Sequence, residues 1–178
     1  ILAMKKESRP DHPKSVGALT DLSFENVAFG YPTSKLLALS NISFNLKNGQ
    51  TIAFVGPSGA GKTSLVKLLV GLYKPTEGKI FYNNISSDQI DIDELRATLG
   101  FVTQDTQLFA GTIRDNLLFV KPDATDVEIL DVLNKSACQS LLARADKGLD
   151  TTIGEGGVKV SGGEKQRVAI ARAVVAKP

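Results

Sequence analysis

Between the apolar run Thr51 to Val55 and the helical pattern Ser64 to Leu72 stands Gly56-Pro57-Ser58-Gly59-Ala60-Gly61-Lys62-Thr63. Glycines at this spacing let a backbone turn tightly and aim successive N–H groups at phosphate oxygens, while the following helix points its positive end at the same place. Lys62 can then reach β- and γ-phosphates, and the Thr63 hydroxyl can ligand Mg²⁺. The string matches G-x-x-x-x-G-K-[ST] in full, in the strand, loop, helix order that this chemistry requires. Ser58, Ala60 and Ser64 complete the set of candidate nucleotide contacts around Gly56, Gly59, Gly61, Lys62 and Thr63. The competing reading is a glycine turn that binds nothing, which the strand, loop, helix context disfavours.

A second anion-ready terminus is Val160-Ser161-Gly162-Gly163-Glu164, which opens a long helix running through Ala176. Ser161 offers a hydroxyl, and Gly162 and Gly163 let a phosphate approach the backbone at the positive end of a helix. Taken by itself the string is also an ordinary N-cap. Tyr31, beside Gly30 and Pro32 at a strand end, can either stack on a base or pack in a turn. Ile129-Leu130-Asp131 mimics an apolar strand ending in a magnesium carboxylate, but the capping box Thr125-Asp126-Val127-Glu128 and the helical period place Asp131 on a solvated helix face. The lone His12 supplies no metal constellation. The single Cys138 has no disulfide partner and reads as packing.

The elements that must hold these residues follow from periodicity. Leu22, Phe24, Val27 after a slip, and Phe29 suggest one strand, Ile42, Phe44 and Leu46 a second, and Thr51 to Val55 a third. Leu65, Val66, Leu68, Leu69 and Leu72 give a helix, and Gly78 to Tyr82 a short strand. Asp91 to Leu99, Thr112 to Phe119 and the segment after Thr125 have helical spacing. Phe101-Val102-Thr103 reads as a short buried strand with Gln104 at its end. Ile1 to Thr20, with Lys5, Lys6, Arg9 and Lys14 and little apolar periodicity, reads as an arm outside the core. Its basic residues fit either a solvated linker or the cytoplasmic flank of a membrane helix.

With 178 residues, one domain or part of one is expected. The net charge of +2 and the absence of a basic block with interleaved aromatics argue against a nucleic-acid partner. No apolar run approaches the roughly 18–20 residues of a membrane span.

Taken together, Gly56 to Thr63, Gln104 at a strand end, and Ser161-Gly162-Gly163-Glu164-Lys165-Gln166-Arg167 followed by Ala169-Ile170-Ala171-Arg172-Ala173 resemble the nucleotide-binding domain of ATP-binding cassette (ABC) transporters. The likeness runs from about Leu22 to Pro178. It is closest to exporters with fused transmembrane domains, through Gln104 to Ile113 and Ile153-Gly154-Glu155. The resemblance implies an α/β fold: a P-loop NTPase-like core sheet, an antiparallel β subdomain and an α-helical signature subdomain, incomplete at the C-terminus. It implies a domain over 21–178 after an arm over 1–20. By the same resemblance Tyr31 stacks on adenine, Gln104 touches Mg²⁺, and Ser161, Gly162, Gly163 and Glu164 form the signature that meets nucleotide on a second domain. Glu155 would lie near the coupling helices of the transmembrane domain.

The cofactors implied are ATP and Mg²⁺. The partners implied are a transmembrane domain of the same transporter and a second ATP-binding domain in a head-to-tail dimer, at the cytoplasmic face of a membrane. The signature departs from the usual pattern at Val160 and Glu164, where Leu and Gln are common, and Gly156 replaces a common Arg. The acidic strand end and switch histidine that complete catalysis in the family have no match in the 178 residues. The expectation is therefore a phosphate-binding framework with little or no ATP turnover by this chain, and an open sheet edge with uncovered apolar surface. Two alternatives are a nucleotide-binding fragment without turnover and a soluble cassette ATPase of the DNA-repair type. The latter requires a long coiled coil, and the span from Thr63 to Ser161 has no sustained heptads.

Overall fold

The computed structural model describes residues 9–104, 106–154 and 156–177. The chain divides into two units, 1–98 and 99–178.

In the first unit, alternating apolar residues build an antiparallel sheet of β1 (Asp21–Gly30), β2 (Leu37–Lys47), β3 (Glu77–Tyr82) and β4 (Ile85–Ser86), in the order β2-β1-β3-β4. Leu22 pairs with Leu46 and Tyr82, and Phe24 with Phe44 and Ile80, so one face of three strands becomes continuous core. The Phe24 and Phe44 rings stack at 4.6 Å between centroids. The slip before Val27 is a β-bulge: the register shifts between Phe24 and Val27, and Asn26 takes φ 50°. Gly78 lies against that bulge. A Cβ there would come within 2.4 Å of the Glu25 and Asn26 carbonyl oxygens, so a side chain cannot be carried. Asn83 and Asn84, both with positive φ, make the two-residue turn that joins β3 to β4.

Helix α1 (Lys62–Leu69) buries Leu65 and Leu68 and is tied to the sheet by Tyr82, whose hydroxyl donates to the Leu69 carbonyl at 2.7 Å. Helix α2 (Ile92–Ala97) starts at Asp91, whose carboxylate accepts from the N–H groups of Asp93 and Glu94. Residues 9–20, expected outside the core, are docked. Lys14 bridges Ile90, Val16 is buried, Ser15 donates to Glu94 at 2.7 Å, and Asn83 donates to the carbonyls of Val16 and Ala18.

Two expected strands do not form. Residues 51–55 and 101–103 carry no strand ladder among the described residues, where every named strand pairing is antiparallel. An apolar run becomes a strand through a paired neighbouring strand as much as through its own pattern, and among the described residues neither run is in a strand ladder. The parallel core sheet is therefore absent among the described residues, while the antiparallel and helical parts are present. Apolar surface is left uncovered as expected: Val55 is 95% exposed.

In the second unit, β5 (Gly111–Thr112) pairs antiparallel with β6 (Thr152–Ile153) and leads directly into α3 (Ile113–Leu118). Helices α4 (Asp126–Lys135), α5 (Gln139–Leu142) and α6 (Gly162–Val175) complete it, with a 3-10 turn at Gly148–Asp150. Capping boxes start α3 at Thr112 and Asp115, α4 at Thr125 and Glu128, and α6 at Ser161 and Glu164. The core gathers Ile113, Leu117, Ile129, Leu133, Val168 and Ala171 around Cys138. That cysteine is buried, which raises its thiol pKa and fits the packing role. Asp131 is exposed and paired with Lys135 one turn on, as the solvated-face reading requires. Among the described residues no helix is long and apolar enough to cross a membrane.

Candidate functional site

The phosphate loop is set by β2. Gly61, at φ 85°, precedes α1 so closely packed that a Cβ would meet the Ala38 carbonyl oxygen at 2.4 Å and Leu39 at 2.8 Å. Gly59 is also left-handed, at φ 83°. Alternating handedness of this kind turns neighbouring N–H groups toward one side of a loop. Helix α1 then begins with no side-chain cap and no acidic residue in its first turn. In the described structure α2, α3, α4 and α6 each have a capping side chain at the same place. Among the described residues the start of α1 is thus the one N-terminus, in a helix of six or more residues, that has no capping side chain.

Lys62 donates through Nζ to the carbonyl oxygens of Gly56 and Pro57, both at 2.7 Å. Its charge is held over the loop rather than extended into solvent. Thr63 is exposed at the first turn, and Ser64 is buried. The loop fits a polyphosphate: it offers open backbone donors, a cation already at the loop, and an exposed hydroxyl beside them. Among the described residues no group of three His, Cys, Asp or Glu could hold a metal ion. The exposed Thr63 hydroxyl is a candidate cation ligand.

Tyr31 stands at the end of β1, half-buried. Its hydroxyl is 3.0 Å from Ser64 Oγ, its ring meets Phe29 and Tyr73 edge-on at 4.9 and 5.4 Å, and Lys67 Nζ lies 6.0 Å from its centroid. The structure shows the packing reading: the ring is held by Phe29 and Tyr73 and remains partly exposed. A cavity of about 770 Å³ in this unit, lined by Leu68, Tyr73, Ile80 and Ile90 among others, includes no phosphate-loop residue, and the chemistry of the loop sits on open surface instead.

In the second unit Gln104, Gly162, Lys165 and Gln166 line a cleft of about 230 Å³, so two sequence-separated site segments meet there. Thr63 and Gln104 belong to different units. Ser161, Gly162 and Gly163 are exposed. An added Cβ on Gly162 would meet nothing within 4 Å, and on Gly163 only the end of Arg167 at 3.5 Å. Glu155 lies outside the described residues.

The Glu164 carboxylate is not turned to solvent. Glu164 is buried, and its Oε2 accepts from the Ser161 N–H at 3.0 Å and the Ser161 hydroxyl at 2.9 Å. Its Oε1 accepts from Arg144 at 2.5 Å and Ser140 at 3.0 Å. The Ser161 N–H first, then Arg144, hold its pKa down to about 2.

Sequence reasoning missed Arg144, Asn116 and Arg172. Asn116 is fully buried and bonds to the backbone of Phe109 and Thr112; Arg172 donates to the carbonyls of Asn116 and Gln107, both at 2.8 Å, and to the Asn116 side chain. These bonds fold the segment after Gln104 onto α6. Asn116 belongs to no motif, the Ala169 to Ala173 run that contains Arg172 assigns it no partner, and contact across 56 positions has no local signature.

Residues 39–178 match the family profile described as ABC transporter. The chain is 40% identical to the probable multidrug resistance ABC transporter ATP-binding/permease protein YheI of Bacillus subtilis, over 95% of this chain and 29% of that one. It is 45% identical to the mitochondrial iron-sulfur clusters transporter ATM1 of Saccharomyces cerevisiae, over 87% of this chain and 22% of that one. A solved bacterial Atm1-family ABC exporter with ATP bound superposes with a TM-score of 0.87 at 40% identity, covering 97% of this chain and 30% of that chain. The chain therefore spans under a third of the length of these relatives. The fold is that of an ABC nucleotide-binding domain, with its antiparallel β and helical parts recognisable, and the chain belongs to the ABC transporter family.

Proposed function

We propose that residues 21–178 act as the ATP-binding domain of an exporter, with residues 1–20 as the segment leading into it. The observation that carries this is the start of α1, uncapped and free of acidic residues, with Lys62 folded over its loop. MgATP binding would exchange the two Lys62 carbonyl bonds for β- and γ-phosphate oxygens, while open N–H groups of the loop and Thr63 take the remaining phosphate and cation contacts. Tyr31 would receive the adenine.

The partner reading rests on Gly162 and Gly163. Both are exposed in the first turn of α6, and neither packing nor backbone conformation within the chain demands glycine at Gly162. Close approach of an outside group supplies the reason: nucleotide on a second ATP-binding domain, docked head to tail. Coupling to a transmembrane domain of the same transporter, with Glu155 and the segment from Gln104 to Ile113 at that contact and the domain on the cytoplasmic face, is favoured by the relatives, several of which are described as transporters or combined ATP-binding and permease proteins. The same relatives give the DNA-repair alternative no support.

Equilibrium MgATP binding to the purified protein, compared with Lys62→Ala, tests the first claim. The expected result is a loss of at least about tenfold in affinity; equal binding by the two would sink the reading. ATP-driven movement of substrate by the full-length protein in sealed vesicles tests the export claim separately.

A further inference from the structure

We infer that Arg144 is a positioning residue for the signature, a countercharge that lets a carboxylate occupy its last position without opposing the phosphate expected there; the inference rests on the nucleotide reading above. A negative side chain three residues into a helix that must receive a polyphosphate is unfavourable, because the helix N-terminus attracts phosphate through its own partial positive charge. Two features of the structure cancel that conflict. The Glu164 carboxylate is turned back onto Ser161, accepting from both its N–H and its hydroxyl. Its other oxygen takes the Arg144 guanidinium at 2.5 Å, in a pair whose carboxylate side chain is 8% exposed and whose arginine side chain is 48% exposed.

Arg144 does more than neutralise. Its Nε donates to the Ser140 carbonyl at 3.1 Å and its Nη1 to the Lys159 carbonyl at 3.2 Å. One planar group thus joins the end of α5, the strand of chain just ahead of the signature, and the first turn of α6. Such a fork holds the three pieces in one geometry, which a flexible ammonium would not do. Ser140 adds its hydroxyl to the same carboxylate at 3.0 Å. The result is a signature whose exposed face presents Ser161, Gly162 and Gly163, with the anionic group behind them paired.

The test is a double-mutant cycle in the full-length protein, reading the MgATP concentration for half-maximal ATP turnover, with thermal melting alongside. Arg144→Gln alone should raise that concentration about tenfold, because it leaves the Glu164 charge uncompensated. In a Glu164→Gln background the same Arg144→Gln change should shift it by less than about twofold, since no charge remains to be countered. A purely structural role, through the Ser140 and Lys159 carbonyls, predicts equal effects in both backgrounds and would overturn the inference, as would a wild-type response from Arg144→Gln. MgATP handling that is indifferent to Lys62→Ala would instead remove the nucleotide reading and this inference with it.

Discussion

The Tyr31 hydroxyl and Ser64 Oγ lie 3.0 Å apart, joining the end of β1 to the first turn of the helix that follows the phosphate loop. Ser64 is buried, so this part-buried bond ties the aromatic ring to the loop that it would serve. Ring and hydroxyl therefore have separable roles. Base–aromatic stacking is worth about 1–3 kcal/mol, whereas one neutral hydrogen bond contributes about 1 kcal/mol net.

Tyr31→Ala should accordingly weaken MgATP binding by roughly tenfold or more, while Tyr31→Phe keeps the ring and should cost less than about fivefold. Titration calorimetry with ATP and with inorganic triphosphate distinguishes the two roles. Triphosphate has no base, so its affinity should be insensitive to the loss of the ring. Equal losses for both ligands in Tyr31→Ala would show that the ring acts only through packing.

Gly61 joins the phosphate loop to β2 more tightly than any side chain permits. Its left-handed backbone and the Ala38 carbonyl 2.4 Å from a would-be Cβ make Gly61→Ala doubly unfavourable. The expected cost is about 2–4 kcal/mol of stability, with nucleotide binding lost even at temperatures where the variant remains folded. Gly59→Ala meets nothing within 4 Å and should cost only the left-handed backbone penalty, about 1–2 kcal/mol. Melting curves for the pair check the ranking.

Local chemistry was legible in the sequence, and pairing was not. The capping box at Thr125 and Glu128 formed as read, and the slip before Val27 proved to be a bulge opposite Gly78, because both are set by neighbours within a few residues or by a single strand partner. The left-handed turn at Gly59 and Gly61 ahead of α1 was legible for the same reason: glycine spacing carries its own geometry. The runs at 51–55 and 101–103 have strand character in composition but depend on distant neighbours for their ladder. Residues 9–20 lack apolar period yet dock through polar bonds, chiefly to Gln89, Asn83 and Glu94. Glu164 was the hardest case. Its departure from the usual signature was visible, but its resolution lay in Arg144, twenty positions upstream with no motif to mark it.

Acid should destabilise the second unit in a defined window. Glu164 has its pKa lowered from an ordinary 4.5 to about 2 by the Ser161 N–H and then Arg144, so the folded state favours the ionised form. As pH falls the unfolded chain takes up the proton first; the stabilisation is complete above about 4.5 and is lost progressively toward pH 2. Asp115 and Asp150 are shifted in the same direction, by the Thr112 backbone and by Arg114 respectively, so they add to the slope. Urea unfolding followed by circular dichroism between pH 5 and pH 2 should show falling stability, with a shallower fall in Glu164→Gln. A slope unchanged by that substitution would contradict the assignment.

Arg172 links α6 to the segment that follows Gln104, and its loss should be felt there before anywhere else. Its guanidinium donates to the carbonyls of Asn116 and Gln107 and lies 4.8 Å from the Phe109 ring centroid, so alanine would remove two backbone anchors and a cation–π contact together. It would also remove a donor to the fully buried Asn116 side chain. Arg172→Ala should lower stability by about 2–4 kcal/mol and speed amide hydrogen exchange across 107–112, with α4 much less affected at matched stability. Arg172→Lys keeps a charge but not a planar fork, and an ammonium cannot meet both carbonyls with the same geometry. It should recover less than half of the loss. Full recovery by lysine would mean that charge alone, rather than the fork, holds the segment against α6.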